Sequence, residues 1–323
     1  ASAIFIAAIS IVSWLNWTTP PVLFFLVILF SLAGPLGAAG TRTLLPRLVP
    51  SHALDRANAL DTAVYAVIGD PIEHSRSPEI YAPMFGQFGI NAVFLKIRVA
   101  ESELCRIRSI VSERSLSGFA VTMPHKKAII PLLDGIDETA AECGSVNIVT
   151  ISNNGSTLVG HNTDGDGLIN ALRETGAGLN GAQVVILGHG GAANGAAAAL
   201  LRAGAEIRFV TRDKKNGIDV LSAIKHAETE SRLLSSADIL INATPIGMHG
   251  MNSDCSDYEE TSFLNCLKPS CIIADMVYRT NGTKLVQDAV HLGLTAFGGE
   301  RMLFHQGKLA FKLWTGLEYI PES

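Results

Sequence analysis

The stretch Val184-Val-Ile-Leu-Gly-His-Gly-Gly-Ala-Ala193 decides the fold of this chain. Its first four residues are apolar and predict a buried strand, and the alanine-rich residues that follow it predict a helix. Between the two, Gly188 permits a tight turn, Gly190 lets the backbone approach a pyrophosphate, and Ala193 allows close packing. The start of the helix would supply amide donors to phosphate groups. The order strand, glycine turn and helix therefore predicts a dinucleotide-binding unit.

Strands and helices alternate on both sides of this stretch, which predicts an α/β fold with a mainly parallel sheet in each of two domains. A substrate-binding domain is expected at residues 62–162, completed by a C-terminal helix within 300–323, and a Rossmann-like domain at 163–299. The predicted strands are 64–68, 93–99, 119–122, 146–152, 183–187, 207–211, 237–242 and 272–276. The predicted helices include 101–112, 128–143, 168–174, 192–203 and 303–314.

The composition of the chain excludes some classes of function. The chain has 323 residues, enough for two domains. Its net charge of −5 argues against nucleic-acid binding, which requires a basic face. The five cysteines are scattered and lack the paired spacing typical of metal ligands, so we expect no metal site. We expect them to be free thiols in a reducing compartment. The expected partner is a small molecule, and the expected assembly is a monomer or homodimer.

The amino-terminal segment, residues 1–61, has a different character. No Lys, Arg, Asp or Glu precedes Arg42, and Pro20 to Ala39 matches the length of a transmembrane helix. We expect an apolar helical segment and membrane association through residues 1–40. Arg42 and the arginines after it would leave the rest of the chain in the cytoplasm. A secretory signal is disfavoured because no basic region precedes the apolar run. A buried hairpin is disfavoured because the first forty residues carry no charge.

The run from Gly34 to Leu60 resembles the fourth helix and following loop of a major facilitator superfamily transporter. About sixty residues carry this resemblance, far fewer than a transporter needs, so we interpret the segment as a fusion or gene-model remnant without transport activity.

The nature of the dinucleotide is indicated by Thr211-Arg212-Asp213-Lys214, which follows the second strand of the predicted Rossmann-like domain. An NAD site usually has an acidic residue in this region, whereas a guanidinium and ammonium groups suit a 2′-phosphate. NADP is therefore the predicted cofactor, and Asp213 leaves NAD open.

Two motifs offer catalytic side chains. Lys126 ends the run Gly118-Phe-Ala-Val-Thr-Met-Pro-His-Lys, and Asp164 lies in Gly160-His-Asn-Thr-Asp. Oxidation of an alcohol requires a group that takes the hydroxyl proton, and a partly desolvated lysine beside a carboxylate can do so. We predict that Asn162 and Thr163 hold Asp164 and that Lys127 forms a surface salt bridge. Uncharged donors for a carboxylate and hydroxyls come from Ser75, Ser77, Thr122 and Asn147.

With these motifs in place, residues 64–316 resemble the shikimate dehydrogenase family. The resemblance implies reversible NADP-linked reduction of 3-dehydroshikimate to shikimate in chorismate and aromatic amino acid biosynthesis. It rests on eight ordered motifs, namely His74-Ser-Arg-Ser-Pro78, Val121-Thr-Met-Pro-His-Lys126, Ser145-Val-Asn147, Asn162-Thr-Asp-Gly165, Gly188-His-Gly-Gly-Ala192, Asn242-Ala-Thr-Pro-Ile-Gly-Met248, Asp275-Met-Val-Tyr278 and Met302-Leu-Phe-His-Gln306.

The resemblance also implies roles for individual residues. Lys126 and Asp164 would be the acid/base pair. Ser75 and Ser77 would bind the substrate carboxylate, and the ring hydroxyls would contact Thr122, Asn147, Tyr278 and Gln306. The implied cofactor contacts are Gly188, His189, Gly190, Gly191, Ala192, Thr211, Arg212, Lys214, Glu138, Met276 and Gly299.

Three departures from the family pattern bear on the substrate. Ala120 stands where the family usually has Asn, Gly298-Gly-Glu-Arg301 replaces Gly-Leu-Gly, and Thr211-Arg-Asp replaces Asn-Arg-Thr. A paralogue that acts on quinate or an aminated analogue, and an inactive dinucleotide-binding sensor, therefore stay open as alternatives.

Overall fold

The structure is a computed structural model that describes residues 62–152, 155–210, 233–248 and 257–321. Residues 63–323 form one compact unit that contains two β-sheets. The predicted α/β fold with mainly parallel sheets is confirmed. The boundaries predicted for two domains stay a prediction.

The first sheet has six strands. These are β1 (Ala63–Gly69), β2 (Ala92–Arg98), β3 (Leu116–Val121), β4 (Gly135–Ile136), β5 (Ile148–Ser152) and β6 (Thr157–His161), and their order across the sheet is β2-β1-β3-β5-β6-β4. The pairs β1/β2, β1/β3 and β4/β6 are parallel, whereas β5 is antiparallel to both β3 and β6. The sequence analysis missed β6 and the two-residue strand β4.

Four α-helices connect these strands: α1 (Ser77–Gln87), α2 (Ile107–Glu113), α3 (His125–Ala128) and α4 (Glu138–Cys143). A 3₁₀ helix at Glu101–Arg106 precedes α2. The single helix predicted for 128–143 is wrong. Asp137 accepts a hydrogen bond from the amide of Ala140 at 2.9 Å and begins a new helix there, and a 3₁₀ turn containing Pro131 and the short strand β4 come before it.

The second sheet has five parallel strands in the order β11-β10-β9-β7-β8. They are β7 (Gln183–Leu187), β8 (Glu206–Val210), β9 (Ile239–Asn242), β10 (Ile272–Asp275) and β11 (Thr295–Phe297). The helices α5 (Asp164–Glu174), α6 (Gly191–Arg202), α7 (Lys284–His291) and α8 (Gly299–Thr315) accompany it. The central strands β7 and β9 are almost continuously apolar, as expected for strands covered on both faces.

Helix α8 links the cores of the two sheets. Its first turns bury Met302 in the core between α5, α6 and the second sheet. Further along, Phe311 and Trp314 join an aromatic cluster of the first sheet, where Trp314 lies with its ring centroid 5.0 Å from that of Tyr65. The Trp314 indole also donates a hydrogen bond to the carbonyl of Val149 at 3.0 Å. The prediction that the closing helix packs back on the first sheet is confirmed.

The apolar helical segment predicted at residues 1–61, and with it the membrane association of residues 1–40, lies outside the described residues. Within the part of the chain that the structure describes, no helix has both the length and the apolar character needed to cross a membrane.

Candidate active site

The glycine turn has the geometry that a dinucleotide requires. Gly188 has a φ of +102°, in the region that favours glycine, and its amide donates to the carbonyl of Val210 at 2.8 Å. A β-carbon on Gly190 would meet no atom within 4 Å, so the backbone is open to a ligand there. Gly190 precedes the first residue of α6 in an extended conformation and has no side-chain cap, which leaves the amides at the start of α6 without that partner.

The residues of this turn therefore fit a diphosphate. His189, Gly190, Gly191 and Ala192 are all exposed, while Ala193 is fully buried where α6 packs on the sheet. Free amides at the start of a helix, together with the positive end of the helix dipole, bind anions. The arrangement is the one predicted from the sequence.

The lysine and the aspartate predicted as catalytic are in direct contact. Lys126 Nζ donates to Asp164 Oδ2 at 2.6 Å, and the two side chains are 33% and 25% exposed. Lys126 lies in the short helix α3 after the end of β3, and its carbonyl accepts a hydrogen bond from the amide of Val146 at 2.8 Å. Asp164 is the first residue of α5, where the helix dipole favours a carboxylate.

A buried polar network holds Asp164 from the other side. Asn147 Nδ2 donates to Asp164 Oδ1 at 2.8 Å and lies 3.2 Å from Gln306 Oε1. The side-chain oxygen Oδ1 of Asn147 accepts a hydrogen bond from the backbone amide of Thr163 at 2.8 Å. Asn147, Thr163 and Gln306 are 4%, 5% and 7% exposed, so the orientation of the carboxylate is fixed by groups that water scarcely reaches.

Asn162 and Thr163, the residues predicted to hold Asp164, make different contacts. Asn162 accepts a hydrogen bond from the Asp164 amide at 3.1 Å and donates to Ser145, so it holds the backbone. Thr163 does not bond the carboxylate; its hydroxyl contacts Asn147 and Gln306 instead. The prediction for Thr163 is corrected in this respect, because the hydroxyl points toward the neighbouring amides.

The two serines predicted for the substrate carboxylate are paired. Ser75 Oγ donates to Ser77 Oγ at 3.1 Å, and Ser77 is the first residue of α1. Thr122 follows β3 directly and packs against the end of β1, because a β-carbon on Gly69 would lie 2.4 Å from its methyl group. Among the described residues, no direct hydrogen bond joins these three side chains to Lys126 or Asp164.

A third group of predicted residues follows β10. The amide of Met276 donates to the carbonyl of Asn242 at 2.9 Å, and a β-carbon on Gly299 would lie 2.5 Å from the carbonyl oxygen of Met276. Only a glycine fits that position, which brings the start of α8 onto the end of β10. Burial raises the pKa of the Tyr278 phenol. The positive charge of Arg76 lowers this pKa and the negative charge of Glu300 raises it, and the result is a raised pKa. Tyr278 therefore stays a neutral hydrogen-bond donor.

For several residues predicted to bind the cofactor, the described part of the chain shows no contact with the glycine turn. Thr211, Arg212 and Lys214 lie outside the described residues, and their roles stay predictions. Glu138 is exposed at the first position of α4, and the structure gives it no direct contact with the glycine turn. Lys127 is exposed and forms no salt bridge within the described ranges, so its surface salt bridge stays a prediction.

The departures from the family pattern also have a structural setting. Ala120 is buried in the aromatic cluster of the first sheet, so this position is apolar here. Glu300, in the first turn of α8, has a buried Oε1 atom with no hydrogen-bond partner among the described residues. Arg301 turns away and lies 3.6 Å from Glu174.

Two further buried residues lie beside the predicted site residues. The sequence favours an orienting or a solvated role for His125, and Tyr81 is not predicted to contribute. His125 is fully buried beside Lys126, and its Nε2 lies 2.6 Å from the carbonyl of Val99, which anchors α3. Tyr81 is 1% exposed, and burial raises the pKa of its phenol, which the adjacent Gln306 lowers and Asp164 raises. Its spacing of four residues from Ser77 along α1 was the available sequence signal, because such residues share a helix face.

Comparison with known proteins identifies the chain. Residues 67–149 match the family model described as the shikimate dehydrogenase substrate binding domain. The shikimate dehydrogenase (NADP(+)) of Staphylococcus epidermidis is 36% identical over 258 residues, which cover 79% of this chain and 93% of that protein. The chain belongs to the shikimate dehydrogenase family.

Solved structures with a similar fold include a shikimate dehydrogenase and a ketosugar reductase. The shikimate 5-dehydrogenase of Thermus thermophilus, in complex with NADP(H) and shikimate, is 30% identical, with a TM-score of 0.67 over 79% of this chain and 94% of that one. The ligand-free 5-ketofructose reductase of a Gluconobacter species is 29% identical, with a TM-score of 0.65 over 80% and 94% of the two chains. The resemblance stated from the eight sequence motifs is therefore confirmed.

Proposed function

We propose that this protein is an NADP-dependent shikimate dehydrogenase that reversibly reduces 3-dehydroshikimate to shikimate in the chorismate pathway. The observation that carries the proposal is the 2.6 Å contact between Lys126 and Asp164, held by the Asn147 network in a chain that also has an open glycine turn. Curated relatives with 36% identity bear the name shikimate dehydrogenase (NADP(+)).

The proton chemistry follows from this geometry. Bound NADPH supplies the hydride for the carbonyl carbon of the substrate. Lys126 Nζ donates a proton to the carbonyl oxygen as it becomes a hydroxyl, and in the reverse direction the neutral amine takes that proton back. Asp164 orients the amine and compensates its charge, while Asn147 prevents the carboxylate from rotating away.

The remaining polar groups suit a cyclic polyol acid. In the proposed complex Ser75 and Ser77 bind the carboxylate, and Thr122, Asn147, Tyr278 and Gln306 contact ring hydroxyls. Three of these side chains, Ser77, Asn147 and Gln306, are buried, so their hydrogen bonds can discriminate between substrates.

On the cofactor side we propose contacts from residues 188–192, Met276 and Gly299, with Glu138 at the adjacent helix start. Thr211, Arg212 and Lys214 would bind the 2′-phosphate. We also propose that residues 62–162 with 300–323 act as the substrate-binding domain and residues 163–299 as the NADP-binding domain.

The substrate assignment is tested by initial rates of the full-length chain with shikimate and with quinate, each with NADP and with NAD. We expect the highest kcat/KM for shikimate with NADP. A higher kcat/KM for quinate would favour the paralogue, and no turnover with saturating cofactor would favour the sensor. Because a 5-ketofructose reductase shares this fold, 5-ketofructose with NADPH is included as a further substrate.

Two further proposals concern the whole chain. We propose that the apolar residues 20–39 associate with a membrane while the catalytic unit faces the cytoplasm. Recovery of the full-length protein only in the soluble fraction after cell lysis would overturn this. For the assembly we propose a monomer or homodimer, which light scattering on the purified chain would measure.

A further inference from the structure

Lys127 occupies an unusual place next to the catalytic lysine. Both lysines belong to α3, but Lys126 turns toward Asp164 whereas Lys127 is exposed. The charge of Lys126 is compensated by its carboxylate partner at 2.6 Å. Lys127 has no ion pair or hydrogen bond within the described ranges, so among those residues no carboxylate compensates its positive charge.

The stem of Lys127 reaches the glycine turn. A β-carbon on Gly191 would lie 3.9 Å from Lys127 Cε, and it would meet no other atom within 4 Å. Gly191 is the first residue of α6, whose uncapped amino end carries the open amides described above. The Lys127 side chain therefore extends from α3, which follows the first sheet's strand β3, to the start of α6.

We propose that the Lys127 ammonium group binds the diphosphate of the nicotinamide dinucleotide, opposite the amides at the start of α6. The inference rests on the proposed function, since it assumes a dinucleotide at the glycine turn. A diphosphate carries negative charge on both phosphates, and amides alone leave part of that charge facing solvent. A flexible ammonium group that has no carboxylate partner in the described part of the chain can cover that side.

The ligand chemistry separates this role from that predicted for Arg212. The diphosphate is common to NADP and NAD, whereas the 2′-phosphate belongs to NADP alone. Loss of Lys127 should therefore weaken both dinucleotides by the same factor, while loss of Arg212 should weaken NADP selectively. If Lys127 were only a solvated surface lysine, its replacement would change the affinity for neither dinucleotide.

The test measures Kd for NADP and for NAD by titration calorimetry on the full-length protein without substrate. For Lys127→Gln we expect Kd to rise roughly three- to tenfold for both dinucleotides, and less at high salt. Lys127→Arg should stay close to wild type. Lys312→Gln is the matched control because Lys312 is another exposed lysine, 3.4 Å from Glu318 at the far end of α8.

The outcomes are distinct. Unchanged Kd values in Lys127→Gln would overturn the inference, as would a loss confined to NADP or an equal loss in Lys312→Gln. Thermal denaturation of each variant identifies a folding defect, and in that case Lys127→Met, measured in the same way, replaces the glutamine variant. If the wild-type chain bound neither dinucleotide, the proposed function itself would fail.

Discussion

Replacing Lys126 by methionine removes the ammonium group but keeps a stem of similar length. A group that transfers a proton in the transition state contributes about 10²- to 10⁴-fold in rate, which is about 3 to 5 kcal/mol of activation free energy. We expect a smaller effect on folding, because Asp164 keeps its hydrogen bond from Asn147 and both side chains of the pair remain in contact with solvent. We therefore expect kcat to fall by about 10²-fold or more while the protein stays folded.

Steady-state rates in both directions, thermal denaturation and the Kd for NADP check this prediction. Lys126→Arg is the informative companion, since a guanidinium keeps the charge near Asp164 but does not release its proton near neutral pH. If proton transfer is the role, both variants lose turnover and retain NADP binding. Near-normal turnover in Lys126→Met would exclude the lysine from the chemistry, and an active Lys126→Arg would reduce its role to electrostatics.

Three other predictions concern cofactor choice, pH and packing. Arg212→Ala should raise the Kd for NADP about tenfold or more and leave that for NAD unchanged, as measured by titration calorimetry; an unchanged preference would reject its phosphate role. Burial raises the pKa of Asp275 to about 6, so its contribution to stability is present below the unfolded pKa near 4 and is lost as the pH rises through about 6. Thermal denaturation should show that decline in the wild type and a flatter profile in Asp275→Asn, and parallel profiles would contradict it. Gly167→Ala should lower the free energy of unfolding by about 1–3 kcal/mol and raise the KM for shikimate, because its β-carbon would lie 2.8 Å from the backbone nitrogen of Gln306. Gly86→Ala is the control, since a β-carbon there would meet no atom within 4 Å, and it should leave the stability unchanged.

The elements that could be predicted are those set by local pattern. The apolar run at 184–187 and the glycines after it specify strand, turn and helix within a dozen residues, and the structure has β7 and α6 there. The failed prediction of one helix at 128–143 has a local cause as well. Apolar periodicity continued through Gly135, and it outweighed the signals of Pro131 and the capping residue Asp137.

Strand β6 could not be recognised as easily, because its stability comes from pairing. Its five residues pair antiparallel with β5, and β4 joins its other edge. Its sequence, Thr-Leu-Val-Gly-His, contains only two adjacent apolar residues and a glycine, which gives a weak strand signal on its own. Such strands become evident only when their neighbours are known.

At the site, residue types were predictable and contacts were not. The motifs singled out Lys126 and Asp164, but nothing in the sequence shows that the chain brings Nζ to 2.6 Å from a carboxylate oxygen 38 positions away. The contact between Asn147 and Gln306 spans 159 positions and depends on the path of α8. The buried Tyr81 and the reach of Lys127 are likewise consequences of packing between distant segments.

The path of α8 has a consequence for how the two cores depend on each other. The helix supplies Gln306 to the polar network and Trp314 to the aromatic cluster, and it buries Met302 in the core of the second sheet. A chain that lacks Gly299–Thr315 would leave an opening in both cores at once. We therefore expect such a deletion to abolish cooperative folding of the whole catalytic unit rather than of one sheet alone.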